Sequence, residues 1–290
     1  MFSVLRAASG PLAEAVRGFV AVSMLDQPWP PRGAPINRFP AMVYCGVTMI
    51  TDGEVALLDD GGCPGRIAPH WTVSGPRTRP VASLTLAPLR CVTAILYPDA
   101  FRLLTGCEPA RLKDRNDAGQ AWLPDEWNEW PAALQARASQ PDAQIAWMEQ
   151  WLLCRWLPVR PRWDRNIGTL VRAPAVRKPA DAARAIGVSH RQLQRQALAA
   201  IGLPPARVHR LQRAEQALGR LAGPRGEGAP LPLARLAADL GFADQPHLTR
   251  DICDLTGLPP ARLAAAVAHD PDYWVYRLDG GAVAFLQDTG

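Results

Sequence analysis

The hexapeptide Gly-Leu-Pro-Pro-Ala-Arg occurs twice, at Gly202–Arg207 and at Gly257–Arg262, 55 residues apart. Upstream of each copy, Leu193 and Arg195 fall opposite Leu248 and Arg250 at the same offset. Further back, Ala183 and Gly187 fall opposite Ala237 and Gly241 at an offset of 54. Matching blocks separated by a one-residue insertion are what two helix-turn-helix units with turns of slightly different length leave behind. The C-terminal part must therefore fold as a duplicated helical unit.

Each unit sorts its residues by face. In the first, Asp181–Ile186 reads as a supporting helix, Gly187 as a tight turn, and Ser189 with Gln192 as a capping box for the next helix. At about 100° per residue, Leu193, Ala197 and Ala200 gather on one side of that helix, and Arg191, Gln194 and Arg195 on the other. Arginine and glutamine are the side chains that pair bidentately with guanine and adenine in a major groove. In the second unit, Leu231–Leu240 supplies the support, Gly241 the turn and Asp244 the N-cap. Leu248, Ile252 and Leu255 then face inward, leaving Pro246, Thr249 and Arg250 outward with Gln245 at the helix start. Pro246 is tolerated because the first helical turn needs no backbone donor. It takes the place of Arg191, so the second unit offers fewer base-reading groups. Between the units, Pro205–Ala222 has the period of one helix, with Val208, Leu211, Ala214, Leu218 and Leu221 on a stripe. It would span about 27 Å, suited to holding two reading helices roughly one DNA turn (~34 Å) apart. Arg207, Arg210, Arg213 and Arg220 occupy its other faces, either at phosphates or as a solvated basic surface.

The segments AARAIGVSHRQLQRQALAAIGLPP and LARLAADLGFADQPHLTRDICDLTGLPP resemble the two helix-turn-helix units of the AraC/XylS family of transcription regulators. Gly241, Phe242, Asp244, Gln245, His247, Leu248, Arg250, Gly257 and Pro259 fall where that family's signature expects them. The resemblance implies an all-α DNA-binding domain over 166–268. It places base contacts at Arg191, Gln194 and Arg195, and at Gln245, Thr249 and Arg250, with His190, Gln192 and His247 beside them; Arg207, Arg210 and Arg213 are candidate phosphate contacts. One departure is Ala197, where the first unit of the family usually carries a large aromatic residue, which leaves less buried area. The implied partners are double-stranded DNA, a small-molecule effector, a second copy of the chain and RNA polymerase, and the implied role is an activator of transcription.

Charge follows the repeats. Residues 177–262 hold 13 Lys or Arg against 7 Asp or Glu, whereas the rest of the chain holds 19 against 20. A basic module of this kind attracts polyanions with strong salt dependence. At 290 residues there is room for two domains. No run of eighteen apolar residues or signal-peptide pattern is evident, so a cytoplasmic protein with no membrane partner is expected. The six cysteines, Cys45, Cys63, Cys91, Cys107, Cys154 and Cys253, show no C-x-x-C spacing and read as reduced thiols rather than disulfides or zinc ligands. Cys253, beside the outward face of the second reading helix, reads as an inert thiol in preference to a redox sensor.

Residues 1–165 read as a separate sensing or dimerisation domain. After the Pro-rich stretch Pro28–Pro40, strand-like runs appear at Ala41–Thr51, Glu54–Leu58, His70–Ser74, Val81–Leu86 and Cys91–Tyr97, with Asp52-Gly53 as a hairpin signal between the first two. Short strands at this spacing suggest a small barrel or sandwich. Helical patterns follow at Asp99–Thr105 and Asp142–Trp156. The arrangement is similar to the cupin-like barrel of AraC-type sensory halves, which makes the expected fold α+β. A single histidine, His70, excludes a three-histidine metal site; it reads as a hydrogen-bonded structural residue, and no metal or other cofactor is expected. Arg77 and Arg79, in the Gly75–Pro80 loop, are candidates to bind an anionic effector. Ile145, Trp147, Met148, Trp151, Leu152 and Trp156 form an apolar stripe that is either core or a dimer interface. The tail 269–290 reads as two strands around Asp279-Gly280-Gly281, able to dock onto the N-terminal sheet. The favoured function is a sequence-specific DNA-binding regulator under effector control, not an enzyme. The alternatives are a DNA-repair protein that couples such a module to a reactive cysteine, and a structural DNA-binding protein without a sensory role.

Overall fold

The computed structural model describes residues 2–26, 29, 35–172, 179–222 and 232–280. Strands dominate the first hundred residues: β1 (Phe2–Ala7), β2 (Val16–Ser23), β3 (Ile36–Phe39), β4 (Cys45–Asp52), β5 (Val55–Leu58), β6 (Pro64–Ile67), β7 (Trp71–Ser74), β8 (Val81–Thr85) and β9 (Arg90–Leu96), with a short β10 (Asn116–Ala118) later. They form a six-stranded sheet, β1-β2-β9-β4-β7-β10, and a four-stranded sheet, β3-β8-β5-β6, with every pairing antiparallel. The fold is α+β, as the sequence implies. The expected barrel is not closed: among the described residues no strand of one sheet pairs with a strand of the other. The Asp52-Gly53 signal also resolves differently. Gly53 does turn at φ +82°, but β4 and β5 lie in different sheets. The turn moves the chain between layers instead of folding a hairpin, and a Cβ there would meet the Pro88 carbonyl oxygen at 2.4 Å.

Alternation along the strands separates two interiors. Phe19, Ala21, Val47, Met49, Val92 and Ala94 face one way, into a core shared with α1 (Pro98–Thr105), α2 (Trp130–Gln135) and α3 (Pro141–Val159). The stripe on α3 is core. Ile145, Met148, Leu152 and Trp156 are fully buried, and Trp147 and Trp151 pack edge-on against Trp130. The opposite residues, Val20, Val22, Ile50, Cys91, Thr93 and Ile95, face the four-stranded sheet across a cavity.

The C-terminal helices are α4 (Arg165–Arg172), α5 (Pro179–Ala185), α6 (His190–Ile201), α7 (Pro205–Ala222), α8 (Leu233–Asp239), α9 (Gln245–Thr256) and α10 (Pro260–His269). Their core, centred on Leu193, Val208, Leu218, Leu236, Leu248 and Ile252, continues into Ala41, Val43 and Tyr44 of the N-terminal part. The tail departs from expectation: Pro271–Gly280 is a 3-10 segment rather than a strand, and the second expected strand lies outside the described residues. Docking onto the N-terminal sheet does occur. The Asp272 carboxylate accepts from Ile36 N at 3.2 Å, and Trp274 Nε1 donates to Asn37 Oδ1 at 2.8 Å.

Candidate nucleic-acid interface

The two repeated units fold alike down to their backbone bonds. After α5, Gly187 takes φ +71°, and Val188 N donates to Ala183 O at 3.0 Å. After α8, Gly241 takes φ +68°, and Phe242 N donates to Ala237 O at 2.9 Å. Left-handed backbone at both positions explains why each turn carries glycine. Ser189 Oγ then accepts from Gln192 N at 3.2 Å and Asp244 Oδ1 from His247 N at 2.7 Å, so α6 and α9 are both capped at the third residue. At the far ends, Gly202 (φ +81°) and Gly257 (φ +80°) close the helices. The repeated prolines then open α7 and α10.

On α6, Leu193, Ala197 and Ile201 are wholly buried, while His190, Arg191, Gln192, Gln194 and Arg195 are exposed. Among the described residues Arg191, Gln194 and Arg195 have no side-chain hydrogen bond or ion pair; their polar groups point into solvent. On α9, Leu248, Ile252 and Leu255 are buried, Gln245 and Arg250 are exposed, and Thr249 is half-buried. Arg250 Nε donates to Pro246 O of its own helix at 3.4 Å.

The α7 arginines considered for phosphates have protein partners instead. Arg213 is 9% exposed. Its guanidinium lies 3.9 Å from the centroid of Phe242 and donates to Gly241 O at 3.1 Å and Asp251 Oδ2 at 3.1 Å. His247 Nε2 lies 3.0 Å from the same guanidinium, so His247 is half-buried in this cluster instead of standing free beside the reading face. Arg210 pairs with Asp251 at 2.6 Å and also with Asp254. Arg207 donates to Thr78 O in the N-terminal part, and burial, then the neighbouring Arg210 charge, lowers its pKa. Periodicity placed these arginines on a helix surface. It carried no sign that α9 would present Asp251 and Asp254 to them.

Contacts between the two parts of the chain are the residues that sequence reading missed. Arg17 and Glu215 form a buried ion pair at 2.7 Å, and Tyr44 donates to the same carboxylate at 3.1 Å. Arg172 reaches Asp99 at 2.9 Å and Glu14 O at 3.0 Å while covering the Tyr97 ring at 4.0 Å. Ala41 N donates to Leu255 O at 2.8 Å, so the end of α9 is tied to the N-terminal part. Gly202 packs so closely on residues 109–110 that a Cβ would meet Ala110 N at 2.7 Å.

Arg77 and Arg79 lie beside each other on a cleft of about 810 Å3, bordered also by Arg38, Arg66 and Thr256–Leu258. Arg79 pairs with Asp60 at 2.8 Å. His70 Nδ1 is 3.1 Å from Ile50 O. Burial raises the pKa of Cys45, Cys91 and Cys253, the direction opposite to nucleophile activation. Among the described residues no group of three or more His, Cys, Asp or Glu is placed to hold a metal ion, and no helix is long and apolar enough to cross a membrane.

A family model described as a helix-turn-helix domain matches residues 182–266. Among solved structures, ToxT from Vibrio cholerae is similar at 12% identity, covering 85% of this chain and 98% of that one with a TM-score of 0.44. Unsaturated fatty acid-bound ToxT from Vibrio cholerae strain SCE256 is similar at 11% identity, covering 80% and 94% with a TM-score of 0.41. A regulator with an AraC-type DNA-binding domain from Chromobacterium violaceum is similar at 21% identity, covering 39% and 98% with a TM-score of 0.32. No curated protein matches the chain.

Proposed function

Because the chain carries a helix-turn-helix domain of the AraC/XylS type at residues 182–266, we propose that it regulates transcription by reading double-stranded DNA with α6 and α9, one in each of two successive major grooves. The observation that carries this reading is the pair of equivalent capped helices whose inner faces are buried and whose outer faces hold partner-free polar groups. Arg191, Gln194 and Arg195 on α6 supply most of the discrimination, with His190 and Gln192 at the helix start. Gln245, Thr249 and Arg250 on α9 add less, since Pro246 stands where α6 has Arg191. Arg210 and Arg213 serve the interface indirectly, by holding α9 against α7 through Asp251.

Residues 1–165 act in this reading as the part that senses a small molecule, 166–268 as the reader and 269–290 as a tail that touches the sensor. A second copy of the chain would pair through a face other than the α3 stripe, which is consumed as core. The test is selection of bound duplexes from a random library followed by footprinting. Two protected patches per chain are expected, one helical turn apart. Arg195→Ala should then cost about 1–3 kcal/mol on the selected site. Equal affinity of the variant and the parent on selected and random DNA alike would refute its assignment.

A further inference from the structure

The cavity between the two sheets is built from both ends of the chain. It encloses about 230 Å3, below the ~300–1,000 Å3 of drug-sized sites, and is lined by apolar side chains such as Val20, Ile50, Val55 and Ile95. Two features distinguish it from a packing void. The first is Arg77, which lines this cavity and also the larger outer cleft. Among the described residues its guanidinium makes no hydrogen bond or ion pair. It lies 5.9 Å from the Phe39 ring centroid, and burial pushes its pKa down to about 10 against the opposing charge of Asp114. An enclosed cation without a bonded partner is costly, and a ligand anion would offset that cost through charge-assisted hydrogen bonds.

The second feature is Trp274. It belongs to the segment after α10, yet it packs between the sheets with Val22, Met24, Ile50, Val55 and Leu89. Its Nε1 donates to Asn37 Oδ1, and Asn37 Nδ2 in turn donates to Thr85 Oγ1 at 2.9 Å and Ser83 Oγ at 3.2 Å. Trp274 and its neighbour Val275 form one wall of the cavity. Whatever fills the space touches the segment that leads out of the DNA-binding helices.

We propose that this cavity takes a small amphipathic carboxylate, with its anionic group on Arg77 and its apolar body between the sheets against Trp274 and Val275. Occupancy thereby favours the docked arrangement of the C-terminal segment, because the wall contacts exist only when that segment is docked. Ligand binding stands by itself; only its consequence for DNA rests on the proposed function. Octanoate matches the modest volume and serves as the probe, with 1-octanol as a neutral control and acetate as an anion without a body.

The experiment is calorimetry of the full chain with each of the three compounds, which requires no variant. Octanoate is expected to bind, with octanol and acetate weaker by roughly tenfold or more, as the loss of a charge-assisted bond or of apolar burial implies. Absence of octanoate binding, or equal binding of octanol, overturns the site. Arg77→Met should lose octanoate binding while Arg77→Lys retains it, both checked for an unchanged circular dichroism spectrum; retention in Arg77→Met overturns the anchoring role. For the coupling, saturating octanoate should change DNA affinity by about fivefold or more in the parent and leave it unchanged in Trp274→Ala. Octanoate binding with no change in the parent's DNA affinity overturns the coupling. A chain that binds octanoate but no DNA refutes the proposed function and leaves the site intact.

Discussion

Asp251 shows how much one buried carboxylate can organise. Its side chain is 2% exposed and balances Arg213 and Arg210 at once. Asp251→Ala would leave the largely enclosed Arg213 guanidinium without its counter-ion, and breaking a buried pair in this way costs about 3–5 kcal/mol. Urea unfolding should show that loss, together with a matching loss of DNA affinity if α9 shifts on α7. The cysteines make a second prediction at this scale. Cys63 and Cys154 are exposed, whereas burial pushes the Cys91 thiol up to about 12 and raises Cys45 strongly. Since the thiolate is the nucleophile, iodoacetamide at pH 8 should label Cys63 and Cys154 on the native chain and spare Cys45 and Cys91 until it is unfolded. Peptide mass spectrometry reads the order of labelling, and early labelling of Cys91 would contradict its burial.

Among the elements, two glycines with similar backbone angles have different surroundings. Gly187 (φ +71°) ends a turn in open space, whereas Gly202 (φ +81°) closes α6 against the backbone of residues 109–110. Alanine at Gly187 should therefore cost only the backbone strain, about 1 kcal/mol. Alanine at Gly202 adds a clash that only separation of α6 from the N-terminal part relieves, so its melting temperature should fall further. An equal effect of the two would mean that this contact contributes nothing. Ser189→Ala removes the cap of α6 and should cost about 0.5–2 kcal/mol, read by the same melting curves. The repeat, the caps and the turn glycines of both units were legible because each depends on residues within a few positions of one another. Strands β1, β2 and β3 were missed. Phe2–Ala7 and Val16–Ser23 are ordinary apolar runs whose strand character comes from pairing with each other and with β9.

Across the whole molecule, the two parts share one continuous core and a set of buried charges, and Glu215 is the clearest of these to test. Burial raises its pKa above the ordinary 4.5, with Arg17 opposing the shift. The folded chain then holds more protons than the unfolded chain between those two values. The contribution to stability is full below 4.5 and declines as pH rises through the raised value. Glu215→Gln should flatten that part of the pH profile in urea unfolding, and a parallel profile would show that the carboxyl titrates normally. The resemblance of residues 182–266 to a duplicated DNA reader needed no coordinates, because helix period, capping and turn chemistry are short-range properties written along the chain. Tertiary structure alone decided that Arg210 and Arg213 hold α9 in place, that the strands stack as two sheets, and that Trp274 closes a cavity some 237 positions from Asn37. Such contacts join residues that share no local pattern, and burial and charge pairing select them only once the chain has folded back on itself.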